Sequence, residues 1–277
     1  MLAVVLDADG QPRLADAPAP DPSLEVLACG LCGSDVEKIG RAPAGTVLGH
    51  EVVVRTASGR QALVHHRSCG ACRRCRAGHE STCEAFAEPT IVPGGFAERV
   101  LATEGVDIPE GVDDARATMV EPLACVLRGV ERVPRGRVLV VGNGFVGRLF
   151  GAVLERRGDD VFAIDADPRR MGRAPDGPVD AAVVCAGAGA ETALAAVEPG
   201  GTVLFFSDAG ALPAELVYRR ELTVVGSRSG TPETMATAAS LLPELDLPEP
   251  LVLPLAQFAE GLGLFRRHEA LKVVFVP

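Results

Sequence analysis

The hydrophobic positions change their period partway along the chain. Up to about Pro109 they fall in short runs of four to six residues, at 2–6, 24–29, 51–55, 62–65 and 96–101, separated by Gly and Pro. That punctuation predicts an antiparallel, partly barrel-like β domain over 1–109. From about Glu110 the texture alternates: residues 113–133 are apolar at helical spacing and a solid apolar strand follows at 137–141. A helix over 148–156 and strands at 161–164, 181–185, 202–206 and 222–225, each reached through a Gly or Pro turn, predict βαβ units and a parallel sheet over 110–245. The stretch 246–277 ends in a strand-like run at 271–276, expected to return to the first domain.

Composition narrows the class. With 277 residues, 47% of them hydrophobic, and a mean hydropathy of +0.22, the chain has enough apolar material for two buried cores. A formal net charge of −10 repels phosphate backbones and anionic bilayers, so neither nucleic acid nor membrane is an expected partner. The first residues lack a basic segment and reach Asp7 and Asp9 early, and no apolar run has transmembrane length, which predicts a cytoplasmic protein. Thiols stay reduced there, so the eight cysteines read better as metal ligands than as disulfides.

Four of these, Cys69, Cys72, Cys75 and Cys83, form a Cys-x2-Cys-x2-Cys-x7-Cys series. Two-residue gaps let successive thiolates converge on one ion, and four thiolates close the tetrahedral shell of a structural zinc. Arg73, Arg74 and Arg76 between them offset the excess negative charge. The alternatives are free cysteines in a surface loop or an iron–sulfur cluster, although the Cys-Pro punctuation of ferredoxin-like loops is missing.

A second metal set is suggested by Cys32 in Cys-Gly-Ser-Asp, His50 and Glu51 in Gly-His-Glu, and Glu121 in Glu-Pro-Leu. Mixed thiolate, imidazole and carboxylate donors leave a coordination position open, as an active zinc requires. Taken singly, His50 reads as a satisfied polar group and Glu121 as a first-turn helix acid. Farther on, the apolar strand runs into Gly142-Asn143-Gly144-Phe145-Val146-Gly147 and a helix. The first Gly permits a tight turn, the second lets a pyrophosphate approach the backbone, and the third lets helix and strand pack closely. Asp165 ends the next strand, where an acid holds ribose hydroxyls and repels a 2′-phosphate, favouring NAD; Arg169 and Arg170 keep NADP open. Gly187, Ser207 and Ser227 follow later strands, as nicotinamide or ribose neighbours or as plain turn residues. Cys125 and Cys185 follow apolar segments and read as small core residues.

The order of these motifs, with Gly94-Gly95-Phe96-Ala97-Glu98 between the cysteine loop and Glu-Pro-Leu, resembles the medium-chain zinc alcohol and polyol dehydrogenases across nearly the whole chain, and within them the sorbitol, threonine and glucose dehydrogenase branch. The resemblance implies a β-rich GroES-like catalytic domain joined to a Rossmann-type domain, an α/β architecture, and a homodimer or homotetramer. It implies a catalytic zinc on Cys32, His50 and one or both of Glu51 and Glu121, with Ser34 handing the substrate proton toward solvent and Asp35 orienting a ligand. The substrate class implied is an alcohol, polyol or sugar. The chain departs from the family in being several dozen residues short: too few residues lie between Asp165 and Ala181 for the usual helix, strand and helix, so the parallel sheet is expected to lack a strand. Glu37 stands where the family often has His. A non-catalytic dinucleotide sensor or subunit, and an NADPH reductase of the same fold, are the alternative readings.

Overall fold

A computed structural model describes residues 1–86 and 90–277. The chain divides into two compact units: Met1–Ala124 with Thr231–Glu244 and Pro248–Pro277, and Cys125–Gly230 with Leu245–Leu247.

The first unit is built on β1 (Leu2–Leu6), β2 (Pro12–Asp16), β3 (Leu24–Gly30), β4 (Glu51–Thr56), β5 (Gly59–Leu63), β6 (Ile91–Val92), β7 (Arg99–Ala102) and β8 (Gly105–Asp107). β3 pairs antiparallel with both β4 and β7, β4 with β5, and β5 with β8. A short helix α1 (Gly33–Lys38) leaves the end of β3, and α2 (Arg73–Arg76) lies in the long β5–β6 connection. The apolar face of this curled sheet closes over Phe96, which meets Phe258 edge-on at 4.9 Å, while Phe258 meets Phe275 at 4.7 Å. The expected strand at 96–101 begins only at Arg99. Phe96–Glu98 instead spends its backbone bonds on separate partners: Phe96 N donates to Leu48 O at 3.0 Å and Glu98 N to Leu2 O at 3.0 Å.

The helical stretch expected over 113–133 is two helices, α3 (Asp114–Ala117) and α4 (Val120–Val130). Pro122 has no N–H for the carbonyl four residues back, at Thr118, so the helical ladder is interrupted there. Thr118 reinforces the break by donating its hydroxyl to Ala115 O at 2.7 Å.

The second unit holds the parallel sheet: β9 (Arg137–Val141), β10 (Asp160–Ile164), β11 (Val179–Val184), β12 (Val197–Phe205) and β13 (Thr223–Gly226), in the order β10-β9-β11-β12-β13. The helices α5 (Phe145–Arg157), α6 (Ala190–Ala196) and α7 (Ala214–Arg219) connect them, and Leu139, Phe162, Val184, Leu194 and Val203 are buried in the core. Among the described residues the sheet has five strands, one fewer than the six of the usual Rossmann order, as the short spacing after Asp165 predicts. The missing strand is the one outside β10. In its place the chain folds back at Gly172 and Arg173, where Ala163 N donates to Arg173 O and Gly172 N to Ala163 O, and the Arg173 guanidinium lies 4.1 Å over the Phe162 ring.

The chain then returns to the first unit through α8 (Pro232–Leu241), whose Thr231 side chain accepts from Thr234 N as an N-cap. It ends in β14 (Leu251–Pro254), α9 (Phe258–Arg266) and β15 (Val273–Val276); β15 pairs with β3. No helix among the described residues is long and apolar enough to cross a membrane.

Candidate functional site

The end of β3 and the start of β4 bring three donors together. Donor atoms of Cys32, His50 and Glu51 lie within 4.8 Å of one another. Cys32 takes extended backbone at the N-cap of α1, and the carboxylate of Asp35, one turn on, accepts the Cys32 N–H at 3.1 Å. The other oxygen of Asp35 accepts Gly49 N and faces His50 Nδ1, each at 3.1 Å. One buried carboxylate therefore fixes both the thiol and the imidazole. Gly49 is required between them: its φ is +97°, and a Cβ there would stand 2.8 Å from Cys29 Sγ and from Phe96 N.

Because a carboxylate only accepts, Nδ1 of His50 carries the proton given to Asp35 and Nε2 faces the donor cluster. Burial alone would lower the His50 pKa. The Asp35 charge and its hydrogen bond outweigh burial and hold it well above the ordinary value. Asp35 is pushed up by burial but ends below its ordinary value because of His50. Ser34 Oγ lies 3.5 Å from His50 Nε2.

Glu121, on the first turn of α4, is buried but is not among the converging donors. Two groups outside the expected ligand set join the site. Lys272, 2% exposed, makes an ion pair with the buried Glu51 and donates to Leu31 O at 3.2 Å. Its only signal in the sequence is a single charge inside the apolar run 271–276. The His65 ring packs 4.5 Å from the His50 ring, His66 lies 3.8 Å from His65, and Phe86 stacks on His66 at 4.0 Å. Burial, then the neighbouring His50 and His66, push His65 down to about 2, so it stands as a neutral imidazole.

In the β5–β6 connection Cys69, Cys72, Cys75 and Cys83 converge. Cys72 Sγ is 3.5 Å from Cys75 Sγ and 4.0 Å from Cys83 Sγ, and Cys69 Sγ is 4.0 Å from Cys75 Sγ. Four sulfurs held about 2.3 Å from one tetrahedral ion stand about 3.8 Å apart, so these spacings fit a single zinc. The backbone is arranged for thiolates: Cys69 N and Ala85 N donate to Cys83 Sγ, and Cys72 N to Cys69 Sγ, at 3.3 to 3.4 Å. Amide donation from Cys75 and Glu84 lowers Cys72 to about 6, while desolvation and the Cys72 thiol raise Cys75 to about 12.

In the second unit the glycine loop joins β9 to α5. Gly142 has φ +95° and packs against Ala186, where a Cβ would lie 2.7 Å from the Ala186 Cβ; a Cβ on Gly147 would stand 2.1 Å from Gly142 O. Gly144 differs. A Cβ there would meet only Arg170 Nη1, at 3.7 Å, so the backbone presents an open face beside a guanidinium at the start of α5. The helix's first N–H groups lack intrahelical acceptors, which suits a pyrophosphate. Phe145 and Val146 make the first turn of α5. Asp165 accepts Asn143 N at 2.7 Å and Asp167 N at 2.9 Å, tying the loop to the end of β10. Gly187, Ser207 and Ser227 follow β11, β12 and β13, on the carboxyl edge of the sheet. Gly187 packs against the Asp208 carbonyl, Ser207 Oγ lies 3.4 Å from Val184 O, and the buried Ser227 Oγ has no hydrogen-bond partner among the described residues. An open Gly144 face and an orphaned hydroxyl on that edge fit a bound dinucleotide.

Residues 21–110 match the model of the alcohol dehydrogenase GroES-like domain. The chain is 27% identical to L-galactonate-5-dehydrogenase of Escherichia coli K12 over 293 positions, covering 86% of this chain and 85% of that one. It is 25% identical to sorbitol dehydrogenase of Halalkalibacterium halodurans over 341 positions, covering 100% and 99%. That alignment is longer than the 277 residues of this chain, so the relative carries segments absent here. The solved alcohol dehydrogenase TADH from Thermus sp. ATN1 superposes with a TM-score of 0.85 at 25% identity, covering 100% of both chains.

Proposed function

We propose that the chain, whose residues 21–110 match the alcohol dehydrogenase GroES-like domain, is a zinc-dependent dehydrogenase of the medium-chain dehydrogenase/reductase superfamily, moving a hydride between a secondary alcohol, polyol or sugar and NAD. The observation that carries this reading is the convergence of Cys32, His50 and Glu51, one thiolate, one imidazole and one carboxylate, in the domain that matches the alcohol dehydrogenase type. Such a set suits a catalytic rather than a structural ion, in contrast to the four-cysteine site. Cys32, His50 and Glu51 would hold a zinc that supplies Lewis acidity, and NAD would supply the hydride acceptor.

The remaining work falls to the chain's own side chains. Asp35 holds His50 by Nδ1 and so aims Nε2. Ser34 Oγ, beside that nitrogen, is the hydroxyl placed to take the substrate proton and pass it outward. The neutral His65 ring beside His50 gives the site a polar wall. With one Tyr and no Trp the chain has little aromatic surface to stack on a substrate, which favours a small, hydroxyl-rich one. In the second unit Asp165 supports NAD over NADP, because a carboxylate keeps lone pairs for ribose hydroxyls and repels a 2′-phosphate.

The test is NAD reduction against secondary alcohols, polyols and aldoses, with zinc measured per chain. Turnover on one of these classes, lost when zinc is removed and restored when it is returned, is the expected result. A zinc-loaded protein that binds NAD and turns over none of them would sink the proposal.

A further inference from the structure

The mechanism above leaves the buried Lys272 unused. Lys272 precedes β15, and β15 lies beside β3, so the lysine enters the core next to the residues that lead into Cys32. Its ammonium reaches the Leu31 carbonyl, one residue before Cys32, and Glu51 Oε2. Both side chains of the ion pair are 1% exposed. The room for it comes from Gly30, where a Cβ would lie 2.0 Å from Glu51 Oε2 and 3.0 Å from Lys272 Nζ. A glycine in the middle of a sheet, a buried lysine and a metal-facing glutamate thus form one arrangement.

We propose that Lys272 is a positioning residue for the catalytic site: it holds one oxygen of Glu51 in the ion pair and thereby keeps Glu51 a weak, partly neutralised ligand beside Cys32 and His50. This rests on the functional reading above. The balance of charge decides the matter. A Cys32 thiolate and the Glu51 carboxylate would together balance a divalent ion, the Asp35 carboxylate lies behind His50, and Lys272 offsets that extra negative charge. With the ammonium removed, the buried carboxylate loses its counter-charge and is left with the metal as its strongest partner. The metal is then bound more tightly and is less free to take a substrate oxygen.

The experiment uses the full chain loaded with cobalt(II), whose visible absorption reports its ligands, together with the rate of zinc release to a chelator. Lys272→Met is expected to slow zinc release from this site at least tenfold and to shift the cobalt bands, while Lys272→Arg keeps the wild-type spectrum and rate. In a Glu51→Gln background, where the buried charge is already gone, Lys272→Met should change neither. Thermal melts report folding of each variant, and should Lys272→Met fold poorly, Lys272→Gln, which also removes the ammonium, is measured in its place with the same expected result. Unchanged spectrum and release in Lys272→Met, or an equal change with and without Glu51, would overturn the role of Lys272. Failure of the wild-type chain to bind any ion at Cys32 and His50 would instead overturn the functional reading beneath it.

Discussion

The Asp165 carboxylate accepts two backbone amides, from Asn143 and Asp167, so it shapes the glycine loop as well as offering an acid to a ribose. Each ionised oxygen has a second lone pair, which leaves acceptors for hydroxyl donors. Arg170 stands close by, with its Nη1 near Gly144 and its Nε 3.8 Å from Asp167, and Arg169 is engaged by the same Asp167. Asp165→Ala therefore removes a carboxylate that repels a 2′-phosphate and leaves the cations. The preference for NAD over NADP is expected to fall by at least about tenfold, about 1.4 kcal/mol. Stability should also drop, by roughly 1–2 kcal/mol, because Asn143 and Asp167 lose their acceptor. Cofactor titrations of the variant decide it; an unchanged preference would take Asp165 out of the ribose site.

At the scale of the element, the β9–α5 turn separates two roles for glycine. Gly147 has none of the space a side chain needs, since a Cβ would press on the Gly142 carbonyl, whereas Gly144 opens outward with an ordinary φ of −72°. Gly147→Ala should lower the melting temperature by several degrees, reflecting roughly 1–3 kcal/mol of overpacking. Gly144→Ala should melt like the wild type yet bind NAD at least about tenfold more weakly, the added methyl standing where the pyrophosphate approaches. Equal effects of the two on melting and on binding would contradict this division. The turn was legible in the sequence because strand, glycine spacing and helix are all local signals, and so was the five-stranded sheet, from the short gap after Asp165. The break between α3 and α4 was signalled by Pro122 but hidden by the continuous helical period around it. The half-exposed β2 and the edge strand β14 have too little alternation to stand out. At the site, the four-cysteine loop was readable from local spacing, whereas Cys32, His50 and Glu51 were weak signals singly and stood out only through the order of motifs that the family resemblance supplies. Lys272 was not readable, because its partner lies 221 residues away and nothing local ties the two.

Taken whole, the chain gathers its metal donors into two sets that share no residue, and the two are supported in different ways. Cys32 and His50 stand at the ends of strands that belong to the main β sheet, held by the pairing of β3 with β4, β7 and β15. Among its described residues the cysteine loop has the four-residue α2, one short 3₁₀ turn and N–H···S bonds of its own, and no strand pairing with the sheet. For such a segment metal binding is folding energy, whereas the sheet does not need an ion to form. Two zincs per chain are expected, and the variants should subtract independently. Cys32→Ala should retain one zinc and the wild-type melting temperature but lose turnover. Cys72→Ala should also retain one zinc while lowering the melting temperature and making the chain more susceptible to proteolysis between β5 and β6. Elemental analysis beside thermal melts of the two single variants and the double variant tests this: a double variant that still holds a zinc, or a Cys32→Ala chain that keeps full turnover, would mean that the two sites have been assigned to the wrong tasks.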